Sequence, residues 1–586
     1  MGGGVHVSQA GMVRVGLLAL LVGLAVGGCG AGESVIAKRA SEPSAPPLID
    51  ALPRVSASPD RVAERTGFRT FHVDAQHPDA SDRNPGTEEA PWQTISRATG
   101  RGVLRPGDTV LIHAGIYRET VQPREGGRPG ARITFRAVPG DTVVISGADP
   151  VTEWHRQPDG LWRTPWTGPS LEAYADDPVF RRELVVVAGT VLTPVFARED
   201  VREGTFWAEG PPAMPRALYA RFGDAGPVNV EVALRTYGFR PLGPDPWAEC
   251  GDPATPGYFH LQGLTIRHHA NRAQWGALCA GSQGSLVENA TVEWTNGQGI
   301  SISGRDHVFR QTAADHNGQM GWGGSCTGCL LDSTRARGNN WKGYDPFWES
   351  GGSKFVGTSH TVVRGHLAAD NDGPGIWFDI DNHDNTIEDC LVENNQVAGI
   401  MLELNTVRTL VQHNTVQATR WRSWSGSGIL SQAASRNVML HNTIQANEGS
   451  GIWLRLDPDR RAEDGHTVVA RNLVRGNVTR RDVEAREVSV EGTSVEHVRT
   501  HSFQHNQVGH VGDAEPVWRS SFFVLPASGH PSGFRGDGLA GWRQSVTETG
   551  TRMEPGGVLS LAEALPSAGA AGTSARLSPR AGADSR

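Results

Sequence analysis

An internal repeat of 22 to 24 residues, running from about residue 286 to residue 471, constrains the fold of this chain more than any other feature. One register of the repeat is a glycine followed by an apolar residue: Gly299-Ile300, Gly321-Trp322, Gly375-Ile376, Gly399-Ile400, Gly428-Ile429 and Gly451-Ile452. A second register is a short apolar segment, as in Leu286-Val287, Val308-Phe309 and Leu330-Leu331. A unit this short cannot bury a core alone, so successive units must stack on one another.

Short β-branched strands and turn residues decide which stacked fold the repeat builds. Leucine-rich repeats have a similar length, but their leucine spacing is absent. Asparagines recur near the expected turns, at Asn317, Asn339, Asn340, Asn371, Asn394, Asn395, Asn414, Asn442, Asn447, Asn472 and Asn477. Asparagine tolerates the left-handed turn conformation, and identical residues on successive turns can form ladders. The repeat therefore predicts an all-β parallel β-helix with three short strands per turn and about 4.8 Å between neighbouring strands.

The N-terminal part of the chain carries motifs of a known family. Three segments, Phe71-His72-Val73-Asp74, Pro91-Trp92-Gln93-Thr94-Ile95 and Arg105-Pro106-Gly107-Asp108-Thr109-Val110, resemble the N-terminal entry of right-handed parallel β-helix proteins of the pectate-lyase-like superfamily. The resemblance covers about residues 68–550. It implies a short helix near residues 92–102 that caps the open end of the solenoid. It also implies a polysaccharide partner, because many catalytic members of this superfamily cleave acidic glycans in a groove along the helix.

Composition divides the chain into segments. Arg14 and the apolar run 15–26 lead to Val26-Gly27-Gly28-Cys29, which resembles the lipobox of a bacterial lipoprotein signal; an ordinary secretory signal is the alternative. The resemblance implies lipidation of Cys29 and a membrane partner, at the outer membrane or cell surface. We expect a signal peptide (1–29), a disordered tether (30–65), an N-terminal cap with the first turns (66–169), an inserted β subdomain (170–245), the central β-helix (246–480), C-terminal turns and cap (481–554), and a disordered tail (555–586).

Charge and cysteine content bear on the partners. The formal net charge is −8, so nothing favours a nucleic-acid partner, and we expect a monomer. Five cysteines follow Cys29, so one disulfide, with Cys250–Cys279 as the candidate pair, leaves at least one thiol over. Cys326 and Cys329 form a lone CxxC without a second pair, and we predict that they pack inside the solenoid and bind no zinc.

The glycine register places acidic side chains in one column. Ile376-Trp377-Phe378-Asp379 aligns with Ile400-Met401-Leu402-Glu403 and with the segments that end at Gln432 and Arg455. Because side chains alternate between the faces of a strand, Asp379, Glu403, Gln432 and Arg455 should share one position on successive turns. If residues 351–355 are an insertion after the strand, Glu349 occupies this column one turn earlier.

Carboxylates about 5 Å apart repel one another unless a cation, a lysine or a shared proton compensates. The chain has three lysines beside 52 arginines, and Lys342 and Lys354 flank the segment that contains Glu349. A lysine amine can act as a base, whereas arginine cannot, although codon drift that spared two surface lysines is the simpler interpretation. The oxygen-rich turns also fit calcium, with Asp379, Asp381 and Glu403 as candidate ligands; carboxylates collected for turn geometry alone are the alternative.

Tryptophans cluster over the same turns. Trp348 and Trp377 are candidates for stacking on sugar rings, and Arg455 and His383 are candidates for polar contacts with the substrate. Alternation along a strand requires some of these tryptophans to point into the core instead. A histidine near a turn is more often a solvated hydrogen-bonding group than a ligand.

Three functions remain open. In a polysaccharide lyase, which is the first expectation, a cation on Glu349, Asp379 and Glu403 would neutralise a uronate, and Lys342 or Lys354 would remove the adjacent proton. In a glycoside hydrolase, carboxyl groups on neighbouring turns would approach the roughly 5–5.5 Å separation of retaining enzymes. The third possibility is a non-catalytic surface lipoprotein that binds polysaccharide.

Overall fold

The computed structural model of this protein describes residues 68–171, 177–245 and 249–455, then residues 467–470, 472–475 and 477 and backbone strands as far as Met553. Three long sheets of parallel strands wind around one core, which confirms the predicted parallel β-helix. The predictions for Cys29, for the tether and for the C-terminal tail lie outside the described residues. Among the residues described, no helix is long and apolar enough to cross a membrane.

Between Phe259 and Val524, each turn of the solenoid contributes one strand to each of three sheets, which we call sheets A, B and C. Sheet A contains Thr70–Val73, Thr109–Ile112, Ile133–Ala137, Phe259–Gln262, Leu286–Glu288, Val308–Arg310, Leu330–Asp332, Val362–Arg364, Thr386–Glu388, Leu410–Gln412, Val438–Leu440, Val468–Ala470, Ser502–Gln504 and Thr547–Thr549. Sheet B contains Gly115–Tyr117, Val143–Ser146, Leu264–Arg267, Thr291–Glu293, Ala313–Asp315, Arg335–Arg337, Leu367–Ala369, Leu391–Glu393, Thr415–Gln417, Thr443–Gln445, Leu473–Arg475, Gln507–Gly509 and Arg552–Met553. Sheet C contains Gly276–Cys279, Gln298–Ser301, Met320–Gly324, Gly351–Phe355, Ile376–Phe378, Val397–Glu403, Gly426–Gln432, Ile452–Arg455, Val488–Gly492, Arg519–Val524 and, as an antiparallel last strand, Arg535–Asp537.

The apolar residue after each repeat glycine lies in the core of the solenoid. In sheet C, Ile376 pairs with Ile400, which pairs with Ile429, which pairs with Ile452, and all four are fully buried. The stacking predicted from the glycine register is therefore confirmed. Since side chains alternate along a strand, the next residue on each of these strands points away from the core.

Asparagine ladders explain why the repeat needs its glycines. The amide of Asn339 donates to Asn371 Oδ1 at 2.9 Å, and the amide of Asn371 donates to Asn395 Oδ1 at 2.8 Å on the next turn. A Cβ added to Gly375 would lie 2.7 Å from Asn395 Nδ2 and 2.7 Å from the carbonyl oxygen of Gly399. The glycine column and the asparagine ladder thus lie at the same corner of the solenoid, and the missing glycine side chains leave the space that the asparagine amides fill.

An alternating charge ladder runs along the outer face of sheet A. Consecutive strands place Glu288, Arg310, Asp332, Arg364 and Glu388 directly beside one another. Neighbouring members form ion pairs, with 2.8 Å between Arg310 and Glu288 and 3.4 Å between Arg310 and Asp332. Opposite charges on adjacent strands stabilise the pairing of those strands by a few tenths of a kcal/mol to about 1 kcal/mol each.

Two small sheets interrupt the solenoid within one of its first turns, after the sheet B strand Val143–Ser146 and before Phe239. One contains Ala148–Pro150, Val185–Val187, Thr190–Val191 and Val230–Ala233, and the other contains His155–Arg156, Trp162–Pro165, Thr193–Pro194, Thr205–Glu209 and Ala217–Ala220. Short 3-10 helices cover Pro178–Phe180 and Arg198–Asp200. We call residues 148–233 the inserted sheets. They bury a core of their own around Trp154, Phe206 and Leu218.

Three further predictions concern the cap and the cysteines. At the expected place of the cap helix the structure has a five-residue 3-10 helix, Ile95–Thr99, so an N-terminal cap helix is not confirmed. Cys250 and Cys279 form a disulfide, and Cys326 is bonded to Cys329 inside the core. Cys390 is a buried free thiol. Cys326–Thr327 also pairs with Gly304–Arg305 in a two-stranded sheet.

Candidate active site on the outer face of sheet C

A buried lysine holds two carboxyl groups together on the outer face of sheet C. Lys354 is only 6% exposed, and its Nζ lies 2.9 Å from Asp379 Oδ2 and 3.5 Å from Glu349 Oε1. The same ammonium donates to the carbonyl oxygen of Trp348 at 2.9 Å and lies 4.1 Å from the centre of the Trp377 ring. A lysine on the adjacent turn therefore supplies the positive charge that the carboxylate column requires.

Asp379 and Glu403 occupy adjacent positions on neighbouring strands. Phe378 pairs with Leu402, so the residues that follow them, Asp379 and Glu403, lie side by side on the outer face. Each is 4% exposed. Asp379 Oδ1 is buried and has no hydrogen-bond partner in the described part of the protein, while Glu403 Oε1 accepts from Gln432 Nε2 at 3.3 Å. Neighbouring strands are about 4.8 Å apart, which sets the scale of the separation between the two carboxyl groups.

Glu349 reaches the site from a loop and is absent from the strand column. Phe355 pairs with Phe378, so Val356 is the residue that precedes Asp379 in the column, and the predicted position of Glu349 there is wrong. The reason is that Gly351–Phe355 is the sheet C strand of that turn, not an insertion after it. Burial raises the pKa of Glu349, and the nearby Lys354 ammonium opposes this shift.

Two glutamines from earlier turns hold Glu349 in place. Gln319 Nε2 donates to the backbone carbonyl of Glu349 at 2.7 Å, and the nearby Gln274 side chain lowers the pKa of the Glu349 carboxyl group. Gln319 Oε1 accepts in turn from the backbone N–H of Gln274 at 2.6 Å. Sequence reasoning missed both glutamines, because neither belongs to the repeat registers. Only the three-dimensional path of the loop brings them to Glu349.

At Arg455 the column meets an aromatic and cationic cluster. Arg455 donates to Gln432 Oε1 at 2.8 Å, and its guanidinium carbon lies 4.6 Å from the centre of the Trp424 ring. Trp424 packs against Trp453, with 5.7 Å between the ring centres, and stacks on Phe347 at 5.3 Å. Trp424 and Phe347 come from the loops that join sheet B to sheet C, so these loops form a wall along one side of the site.

Several predicted site residues lie away from this cluster. Lys342 Nζ donates to the backbone carbonyl of Arg181 and to Asn296 Oδ1, the latter at 2.7 Å. His383 Nδ1 lies 2.8 Å from Asp384 Oδ2, on the turns between sheets C and A. Asp381 is exposed on such a turn and accepts from Asn405 at 3.1 Å.

The donor set does not fit calcium. Within the residues that the structure describes, no three His, Cys, Asp or Glu side chains are grouped closely enough to hold a metal ion. Of the predicted ligands, Asp379 is paired with the Lys354 ammonium, and Asp381 is engaged with Asn405. A second cation beside Asp379 would be repelled by that ammonium. The chemistry proposed below for this site therefore does not use calcium.

A family model and one solved structure agree with this fold. A family model described as right handed beta helix region matches residues 275–420. The structure of XylC in complex with xylose aligns over 76% of this chain and 84% of XylC, with a TM-score of 0.60 and 17% identity. A glycoside hydrolase aligns over 83% of this chain and 95% of its own, with a TM-score of 0.38 and 11% identity. Protein YwoF of Bacillus subtilis (strain 168), which is uncharacterized, is 41% identical over 70 residues; the match covers 12% of this chain and 14% of YwoF.

Proposed function

We propose that this right-handed parallel β-helix protein hydrolyses glycosidic bonds, with Asp379 and Glu403 as its two catalytic carboxyl groups. The observation that carries the proposal is the pairing of Phe378 with Leu402, which sets the two carboxyl groups side by side on neighbouring strands of one outer face. A spacing of about 5 Å belongs to the retaining class of glycosidases, since inverting enzymes need roughly 6.5–9.5 Å to admit a water molecule.

The surroundings of the two carboxyl groups assign their roles. The Lys354 ammonium lies 2.9 Å from Asp379 Oδ2, and we assign the attack on the anomeric carbon to Asp379 Oδ1, which is buried and has no hydrogen-bond partner among the described residues. Glu403 donates a proton to the departing glycosidic oxygen, so the sugar becomes esterified to Asp379 and the rest of the glycan leaves as an alcohol. Glu403 then takes a proton from water, the resulting hydroxide displaces Asp379, and the sugar is released with its original configuration.

Lyase chemistry is less well supported because of what Lys354 contacts. A general base must give up its proton before it can accept one from the substrate. Loss of the Lys354 proton would remove the ion pairs that its Nζ forms with Asp379 and Glu349. Lys342, the other candidate base, donates to the carbonyl of Arg181 and to Asn296 Oδ1, and among the described residues it forms no ion pair with Asp379 or Glu349.

The charges of this face favour a neutral glycan. Glu349, Asp379 and Glu403 contribute three carboxyl groups, whereas Lys354 and Arg455 contribute two cations, so the face offers no excess of positive charge to a uronate. The partly exposed rings of Trp348, Trp424 and Trp453 can stack on sugar faces. XylC was solved with xylose, and xylo-oligosaccharides are therefore the first substrates to test.

Product analysis on purified protein that lacks residues 1–29 tests the proposal. We expect new reducing ends from xylo-oligosaccharides or another neutral glycan, no ultraviolet-absorbing unsaturated product, and initial products of retained configuration by proton NMR. Asp379→Asn and Glu403→Gln should each lower kcat at least 100-fold, and azide should restore turnover of an activated aryl glycoside to Glu403→Gln by forming a glycosyl azide. Unsaturated products would instead identify a lyase, and binding without any product would identify a carbohydrate-binding protein.

Glu349→Gln is the matched control for the two roles. It changes a carboxyl group that also contacts Lys354 but lies on the loop, outside the strand pair. We expect Glu349→Gln to keep measurable activity that azide does not raise. If azide instead rescues Glu349→Gln and leaves Glu403→Gln inactive, Glu349 is the acid and base, and the assignment to Glu403 is wrong.

We further propose that lipidation of Cys29 anchors the enzyme at a membrane outside the cytoplasm. The support is the lipobox-like ending Val26-Gly27-Gly28-Cys29. Cys29→Ala should move the protein from the membrane fraction to the soluble fraction or block its processing. Normal processing with unchanged membrane retention would contradict a lipid anchor.

A further inference from the structure

We propose that Lys342 and Phe180 form a clamp by which the inserted sheets position the catalytic face, and that Lys342 is a positioning residue with no part in proton transfer. This inference rests on the proposed hydrolytic site, since it names the parts of the chain that hold that site in place. The clamp acts on the loop of residues 341–350, which we call the Glu349 loop. This loop supplies Glu349 and the Trp348 carbonyl, and both contact Lys354.

Lys342 joins three parts of the chain at the start of the Glu349 loop. Its ammonium donates to the backbone carbonyl of Arg181, in the inserted sheets, and to Asn296 Oδ1, in the solenoid. Its backbone N–H donates to the carbonyl of Gly318 at 3.3 Å, and its side-chain stem lies against Gly318, where a Cβ would be 3.0 Å from Lys342 Cδ. Lys342 thus connects the inserted sheets, the solenoid and the loop through one side chain.

Phe180 makes the second connection, in the middle of the loop. Its ring packs edge-on against Trp348, with 5.0 Å between the ring centres, and against Tyr344 at 5.5 Å. Trp348 is the residue whose carbonyl accepts from Lys354. A shift of the loop away from Phe180 would therefore move an acceptor of the ammonium that holds Asp379.

The solenoid contributes its own hydrogen bonds to the Glu349 loop. The Asn340 amide donates to the Tyr344 carbonyl at 2.9 Å, to Ser350 Oγ at 3.0 Å and to the Asp372 carbonyl at 2.7 Å. These bonds close the loop at its base. The side chains of Lys342, Tyr344 and Trp348 find their further partners, Arg181 and Phe180, in the inserted sheets, so the inserted sheets act as part of the active site.

Hydrogen exchange measured by mass spectrometry together with kinetics tests the clamp. Lys342→Met and Phe180→Ala should each speed exchange in residues 341–350 at least several-fold and leave exchange in the sheet A strands unchanged. Both variants should lower kcat roughly 10- to 100-fold with a smaller change in KM, because small misplacements of catalytic groups have effects of this size. Phe196→Ala is the control, since Phe196 belongs to the inserted sheets and is 56% exposed, and it should match the unmodified protein in both measurements.

Lys342→Arg separates positioning from proton transfer. Arginine keeps N–H donors at this position but cannot act as a base. We expect Lys342→Arg to keep both a protected loop and most of the activity, or to lose both together. An inactive Lys342→Arg with a fully protected loop would overturn the proposal and identify Lys342 as a base. Unchanged loop exchange in Lys342→Met and Phe180→Ala would also overturn it, whereas a chain that turns over no glycan but shows the expected exchange would refute only the hydrolase.

Discussion

The protonation of Lys342 can be measured directly, because this chain contains only three lysines. Burial lowers the pKa of Lys342 from 10.5 to about 7; Arg181 and Arg182 add to this shift, and Glu183 opposes it. Protein labelled with 13C and 15N on lysine should give three side-chain signals, and the one lost in Lys342→Met belongs to Lys342. We expect that signal to titrate near pH 7. A midpoint above about pH 9.5 would refute the assigned environment.

The same shift predicts how stability depends on pH. In the folded protein Lys342 loses its proton near pH 7, whereas in the unfolded chain it keeps the proton up to about pH 10.5. Between these values the unfolded chain binds more protons, so stability rises with pH, by at most about 1.4 kcal/mol per pH unit and about 5 kcal/mol over the whole window. The stabilisation is lost again as the pH falls towards 7.

Denaturation of the unmodified protein and of Lys342→Met, compared between about pH 7.5 and pH 9.5, isolates this one group. The unfolding free energy of the unmodified protein minus that of Lys342→Met should increase by about 1 kcal/mol per pH unit. The contributions of the other titrating groups cancel in this difference. Burial also raises the pKa of the neighbouring Tyr344, which therefore stays protonated in this range. A difference that does not change with pH would refute the reasoning.

Three further changes should have distinct outcomes. Gly375→Ala brings a Cβ to 2.7 Å from Asn395 Nδ2 and should cost about 1–3 kcal/mol of stability, seen as a lower Tm. Asn371→Ala removes the acceptor of the Asn339 amide and backbone N–H and one donor to Asn395 Oδ1, and it should cost about 2–4 kcal/mol; an unchanged Tm would contradict the ladder's importance. Lys354→Met should cost about 3–5 kcal/mol because it leaves Asp379 buried without its cation, and adding Asp379→Asn should restore part of that loss; no restoration would exclude the ion pair as the cause.

The sequence predicted the solenoid because every turn repeats the same local chemistry. The glycine register placed Asp379, Glu403, Gln432 and Arg455 in one column, and the strand pairing agrees with that order. The predicted position of Glu349 was wrong because a long loop precedes the sheet C strand Gly351–Phe355 of this turn. No periodic signal in the sequence shows where such a loop ends and the strand begins.

Contacts between distant segments were beyond sequence reasoning. Phe180 meets Trp348 although 168 positions separate them in the sequence, and neither side of that contact belongs to a repeat. Lys342 and Lys354 looked like one site because they lie close in sequence. In the structure each lysine has partners of its own: Lys342 donates to Asn296, and Lys354 pairs with Asp379.

The alternating charges on sheet A bear on how a stack of similar turns finds its correct order. Every turn offers its neighbours the same backbone hydrogen bonds, so backbone pairing alone cannot tell the next turn from the one after it. If the turn of Arg310 were looped out, Glu288 would lie beside Asp332, and the two like charges would repel. Skipping one turn is thus penalised, while skipping two restores the alternation. Evolutionary gain or loss of turns in this stretch should accordingly proceed in pairs.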